Sequence, residues 1–272
     1  MNHQTDRSEK PAAGARETIL NEDVVKNNAM PTEVDIESSH TRSNASIERR
    51  QFLEHHLKGS PTDLGSYMEL AQLYRSENRP ADARRVLQQA VQVFPDNASV
   101  LWELEEAILA RSLQQYREVL EVSKKLESPE MDRELNRSAS DWVCRRIEVC
   151  EARLDRNPEL HDLRLSLGEA LLDAGRHQDA IDAVTILLEQ DHFSASAFYL
   201  RGKCQLELGR NHDAMRSLRS VALRRAVTAT PSLKIAALKL LALTAERIGA
   251  TQTLELYKDQ LHELESRIGS DA

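Results

Sequence analysis

The sequence predicts an all-α fold, a solenoid of antiparallel helix pairs behind a disordered N-terminal tail. Three observations predict it. Gly168 recurs as Gly202, Gly175 as Gly209, Arg176 as Arg210, Asp179 as Asp213 and Ala180 as Ala214, each pair 34 residues apart. A fixed period of that size, spelled by small and apolar residues, marks two-helix units that bury their faces against one another. Pro61, Pro95 and Pro129 fall at the same interval. Finally, Gly and Pro are scarce, aromatic residues make up only 4%, and helix formers dominate the 272 residues.

The tail comes first. Residues 1–45 are polar, unpatterned and mixed in charge, with Pro11, Gly14 and Pro31 scattered through them. They bury too little apolar surface to offset the entropy of ordering, so disorder is expected apart from a transient helix around 18–27. From 46 to 272 the pattern is that of the solenoid. Ser46 opens a cap helix over 46–58, with Ile47, Phe52, Leu53 and Leu57 on one stripe and Gly59 as its stop.

The first repeat, about 61–95, is the clearest single unit. Tyr67, Leu70, Ala71 and Tyr74 mark its first helix, and Ala83, Leu87 and Ala90 its second. Small side chains at Ala71 and Ala83 let the helices approach, while Tyr67, Tyr74 and Leu87 fill the space between. Asn78 stands where a helix end needs a left-handed residue, a place taken later by Gly175, Gly209 and Gly249. Asp82, Asp179 and Asp213 fall in the first turn of the second helix, at the positive end of its dipole.

The second unit, about 96–129, keeps the length but loses the wording, because Arg117 or Tyr116 stands where the small residue should be. Two irregularly packed helices are expected there. The stretch 130–158 is too short for a repeat. It reads as a short helix near 130–136, then one capped by Ser140 and running to about Arg156, with Val143, Ile147, Cys150 and Leu154 on one face. Repeats at 159–192 and 193–226 follow, with His192 and Ala226 in place of the closing proline and Arg201 in place of a leucine. A terminal helix pair, 231–268, hinges at Gly249. Its last helix, with Glu255, Lys258, Asp259 and Glu263, suits the polar cap that a solenoid requires.

The unit at 61–95 resembles the tetratricopeptide repeat, whose pattern is W-x2-L-G-x2-Y, then A-x3-F, then P. Tyr67 stands for the aromatic, Ala71 for the glycine, and Ala83-x3-Leu87 for the second helix. The resemblance extends over roughly 60–270. It implies a right-handed solenoid, and it implies that the first helix of each unit lines a concave face. On that reading the inward stripes are Met68, Gln72 and Arg75; Trp102, Glu106 and Leu109; Leu165, Glu169 and Leu172; and Tyr199, Lys203 and Leu206. Members that clamp acidic chaperone tails carry a lysine and an asparagine where Met68 and Gln72 stand, so that clamp is missing here.

Little in the sequence speaks for catalysis. No two glycines lie closer than six residues, which excludes phosphate-cradling glycine loops. No HExxH, GxSxG or zinc-spaced Cys/His cluster occurs, so no catalytic residue, metal or cofactor is expected. Cys144, Cys150 and Cys204 form no even disulfide set and read as reduced thiols, which suits a cytoplasmic protein. The most apolar stretch, 235–245, is short and carries Lys239, so it cannot span a bilayer.

What remains is surface for partners. A protein or peptide segment held in the concave groove is the leading expectation, with Trp102 serving either binding or packing. No small-molecule substrate is expected, and a net charge of -8 opposes nucleic acid. One stretch runs against that charge. From Ala214 to Ala245 come Arg216, Arg219, Arg224, Arg225, Lys234 and Lys239 with no acid. Either this is a solvated outer face, or it serves an accessory subunit that contacts nucleic acid, an anionic membrane or an acidic partner. A third reading is a cargo chaperone for a secretion or assembly system. Oligomeric state is left open.

Overall fold

A computed structural model describes residues 33–126, 128–224, 227 and 229–270. Most of the expected tail, the transient helix near 18–27, and Arg225 and Ala226 lie outside the described residues. The chain divides into two units, 1–49 and 50–272. The first contributes the start of helix α1 (Glu33–Gly59), which takes in the expected cap helix and also 33–45. No Pro or Gly follows Pro31 until Gly59, so nothing in the sequence stops the helix from running that far back.

Within residues 50–272 ten helices follow α1 among the described residues, packed in consecutive order: α2 (Leu64–Ser76), α3 (Pro80–Val93), α4 (Ala98–Ser123), α5 (Pro129–Arg156), α6 (His161–Asp173), α7 (His177–Thr185), α8 (Asp191–Glu207), α9 (Asn211–Leu223), α10 (Pro231–Arg247) and α11 (Thr251–Ser270). A 3-10 turn, Ile186–Glu189, extends α7. No described helix is long and apolar enough to cross a membrane.

The expected breaks fall where left-handed backbone is available. Asn78 has φ 56°, and Gly175, Gly209 and Gly249 have φ of 73°, 72° and 74°. After three of these turns an arginine precedes the next helix and an aspartate lies in its first turn. Arg79 reaches Asp82 at 2.7 Å, and Arg176 reaches Asp179 at 2.7 Å. Tyr67, Tyr74, Ala71, Ala83 and Leu87 are buried together, as the first repeat requires. At the other end Tyr257 of α11 is buried, while Glu255, Lys258, Asp259 and Glu263 face solvent.

One region departs from expectation. Two short helices were expected in 96–129 and a break before Ser140, but α4 is a single helix of 26 residues and α5 one of 28. The reason is local. Between Ala98 and Ser123 there is no Gly, Pro, Asn or Asp, so the left-handed turn that splits the other units has no residue to form it. The chain turns only after Ser123, and Ser128 rather than Ser140 caps α5, its Oγ accepting from the Met131 N–H. Residues 98–156 thus form one long antiparallel pair where the period alone would place shorter ones.

The apolar core is segmented accordingly. One cluster runs from Leu53 to Ala107, a second from Ile147 to Cys204, and a third from Ala195 to Tyr257. The second and third interleave on α8, but among the described residues none of the three clusters holds members of both α4 and α5.

Candidate functional site

Helix contacts identify the inner row. α2 touches α4, α6 touches α8, and α8 touches α10, whereas α3 and α5, α5 and α7, and α7 and α9 do not meet. In a curved stack the row whose members meet lies inside the bend. The first helices α2 and α4, and α6, α8 and α10, form such a row, and the expected stripes can be located on it. α4 and α6 do not touch, so the row falls into two parts, α2/α4 and α6/α8/α10.

In the first part, Met68 is half-buried against the first cluster, and Gln72 is exposed. Arg75 is exposed and hydrogen-bonds to Glu103 across the α2/α4 contact. Trp102 is 39% exposed, with the Arg153 guanidinium 3.6 Å from its ring centroid. Arg153 Nη2 also donates to the Trp102 carbonyl at 3.2 Å and pairs with Glu106 at 2.8 Å. Glu106 is thereby already neutralised from within the chain. Leu109 is half-buried on the same helix.

In the second part, Leu165 and Leu172 pack half-buried on the second cluster, and Leu206 and Tyr199 on the third. Burial pushes the Tyr199 hydroxyl above its ordinary pKa, and Lys203 Nζ stands 5.9 Å from that ring. Between these residues lies Glu169, 3.9 Å from Arg146. Its side chain is 56% exposed, so the desolvation that raises its carboxyl above the usual range is only partial. Leu165, Glu169, Leu172, Tyr199, Lys203 and Leu206 thus occupy two touching inner helices, α6 and α8.

The departure at Arg201 is accommodated locally. Its Nε donates to Ser217 Oγ at 3.0 Å and its guanidinium lies 4.9 Å from the Phe198 ring, while burial lowers its pKa. Cys150 and Cys204 are buried, and burial lifts the Cys204 thiol to about 11; Cys144 is exposed. Among the described residues no His, Cys, Asp and Glu group could hold a metal ion.

The basic stretch is less bare than its sequence. Arg216 lies 3.6 Å from Asp213, Arg219 donates to the Tyr257 hydroxyl, and Lys239 pairs with Glu265 of α11 at 3.2 Å. Arg224 is exposed and Lys234 half-buried.

Sequence reading missed the residues that join the two long helices. Arg153, 4% exposed, is held by Glu105 at 2.8 Å, and Arg156 reaches the same carboxylate at 2.6 Å. Arg146 pairs with Asp173 of α6 at 2.9 Å. Arg146 and Arg153 lie four before and three after Cys150, beside the apolar stripe of α5, and that spacing could have placed them inward.

Comparison with known proteins agrees with this architecture. Two family descriptions, each named tetratricopeptide repeat, match the chain, one over residues 64–109 and the other over 151–194 and 165–233. No curated protein matches it. Among solved structures, that of MamA is 18% identical with a TM-score of 0.50, covering 74% of this chain and 97% of MamA. A MamA 41-end structure from Desulfovibrio magneticus RS-1 gives 15% identity and 0.47, covering 74% and 94%. PilW, described as a widely conserved type IV pilus biogenesis factor, gives 16% and 0.41, covering 86% and 94%. At such identities the likeness is one of fold, and the first of these carries it. With helix pairs on a 34-residue period and left-handed turns at their expected positions, residues 64–109 and 151–233 are built of tetratricopeptide repeats.

Proposed function

We propose that this protein is a non-catalytic scaffold that holds a segment of a partner protein along its inner row. The tetratricopeptide-repeat fold supports protein interaction in general. The observation that carries the specific reading is the α6/α8 wall. There Leu165, Leu172, Tyr199 and Leu206 remain only half-buried on two helices in contact, around an exposed Glu169. Such a surface favours an apolar segment that brings a Lys or Arg to Glu169, because an exposed carboxylate among apolar side chains attracts the complementary charge. Trp102 offers a second aromatic anchor, pre-oriented by Arg153 on one face. Glu106 contributes little, since Arg153 already holds it.

The test uses a partner recovered from the native host with the wild-type chain. Trp102→Ala combined with Tyr199→Ala should abolish its capture while the helical circular dichroism signal persists. Reversing Arg224 to Glu should leave capture intact. Capture that survives loss of both aromatics would overturn the reading.

A further inference from the structure

The outer side of the molecule carries a second site of opposite charge preference. α3 and α5 belong to the outer row and do not touch, and α4 lies beneath them. The gap between them is a notch of about 500 Å³. Its lining is mostly polar and includes Arg84 of α3, Arg111 of α4, and Arg137 and Arg145 of α5, against the carboxylates of Glu134 and Asp141. Four cations thus face two anions within a protein whose net charge is -8.

The pairing inside the notch sharpens the imbalance. Arg145 lies 3.6 Å from Asp141 and 2.8 Å from Glu148, and Arg137 is 4.0 Å from Glu134. Asp141 also accepts a hydrogen bond from Ser112 at 2.8 Å. Arg84 and Arg111, by contrast, make no ion pair or hydrogen bond with the described residues. They stand on different helices, facing one space. A guanidinium presents a fork of donors that fits a carboxylate in two parallel hydrogen bonds, and two such forks are left vacant here.

We propose that this notch docks an acidic peptide segment of a protein partner, with Arg84 and Arg111 each taking a carboxylate. A volume of about 500 Å³ lies within the usual range of ligand pockets, but those are lined mainly by apolar residues. A polar lining with excess positive charge instead selects an anion. Glu134 and Asp141 interrupt the field, so a compact dianion would meet repulsion that a chain with spaced carboxylates avoids. The site is separate from the inner row, so the scaffold would engage two segments of different chemistry on opposite sides.

The test is fluorescence anisotropy of a labelled hexaglutamate peptide with the full chain, with hexalysine as the control. Wild-type protein should bind hexaglutamate and not hexalysine, and binding should weaken as salt is raised. Arg84→Glu with Arg111→Glu should weaken it at least about tenfold, the scale of one lost charge-assisted hydrogen bond. Arg84→Gln with Arg111→Gln provides the same test if the reversal disturbs the helical signal. The Trp102→Ala and Tyr199→Ala variant should bind hexaglutamate normally, which keeps this inference separable from the inner-row reading. Unchanged affinity in both arginine variants would overturn the proposal. So would displacement of the peptide by an equal concentration of inorganic phosphate, which would make the notch a small-anion site.

Discussion

Around Gly168 the helices meet with almost nothing between them, whereas α4 and α5 meet across a layer of charge. A Cβ added at Gly168 would lie 2.5 Å from Val184 Cγ1 of α7 and 2.8 Å from Leu200 Cδ2 of α8. One small residue there brings three helices into a shared apolar cluster. At the α4/α5 joint the buried Arg153 pairs with Glu105 and Glu106, and the buried Ser112 donates to Asp141. The regular units share an apolar cluster, and the long pair adds buried polar pairing to its packing. Apolar packing tolerates neighbours of many kinds, but a buried cation needs its partner on the facing helix, so it fixes register at the cost of desolvation.

That contrast can be broken most severely at Arg153. Arg153→Ala leaves Glu105 to Arg156 alone, so the loss should fall at the lower end of the about 3–5 kcal/mol typical of a broken buried pair. Arg153→Leu combined with Glu105→Leu should recover most of it, because an apolar pair needs no desolvation compensation. If the double substitution proves as damaging as the single one in chemical denaturation, the joint is not held by charge. Next in size is Gly168→Leu, which should cost about 1–3 kcal/mol by overpacking against Val184 and Leu200. At Gly202 a Cβ would meet Leu218 at 2.8 Å but no second side chain within 4 Å among its three nearest atoms, so Gly202→Leu should cost less. Melting temperatures in the reverse order would mean that the close approach at Gly168 is misplaced. The smallest effect belongs to Ser112→Ala, which removes one hydrogen bond to Asp141 and should cost about 0.5–1.5 kcal/mol.

The same contrast explains what the sequence could tell. Gly175, Gly209 and Gly249 announced their turns because a left-handed residue is needed at a fixed place. Gly168 and Gly202 recur one period apart because each stands where helices approach closely. The long helices were missed because the signal was an absence: no left-handed residue between Ala98 and Ser123, while Pro129 kept the period and suggested an ordinary repeat. The repeat sets matching stripes on α6 and α8, but the neutralisation of Glu106 could not be read from it, since Arg153 lies 47 positions further along the chain. The notch was invisible for the same reason. Arg84, Arg111 and Arg145 share no sequence pattern and meet only once three helices have packed.

Hydrogen exchange of the free chain and of its complex with a captured partner tests the scaffold reading most directly. Residues of the inner helices α6 and α8, from Leu165 to Leu172 and from Tyr199 to Leu206, should gain protection on binding, because a segment lying on that wall restrains their opening. The surface of α9 to α11 around Arg216 and Lys239 should exchange as before. Protection confined to α9–α11, with α6 and α8 unchanged, would contradict the account and move the partner to the basic face.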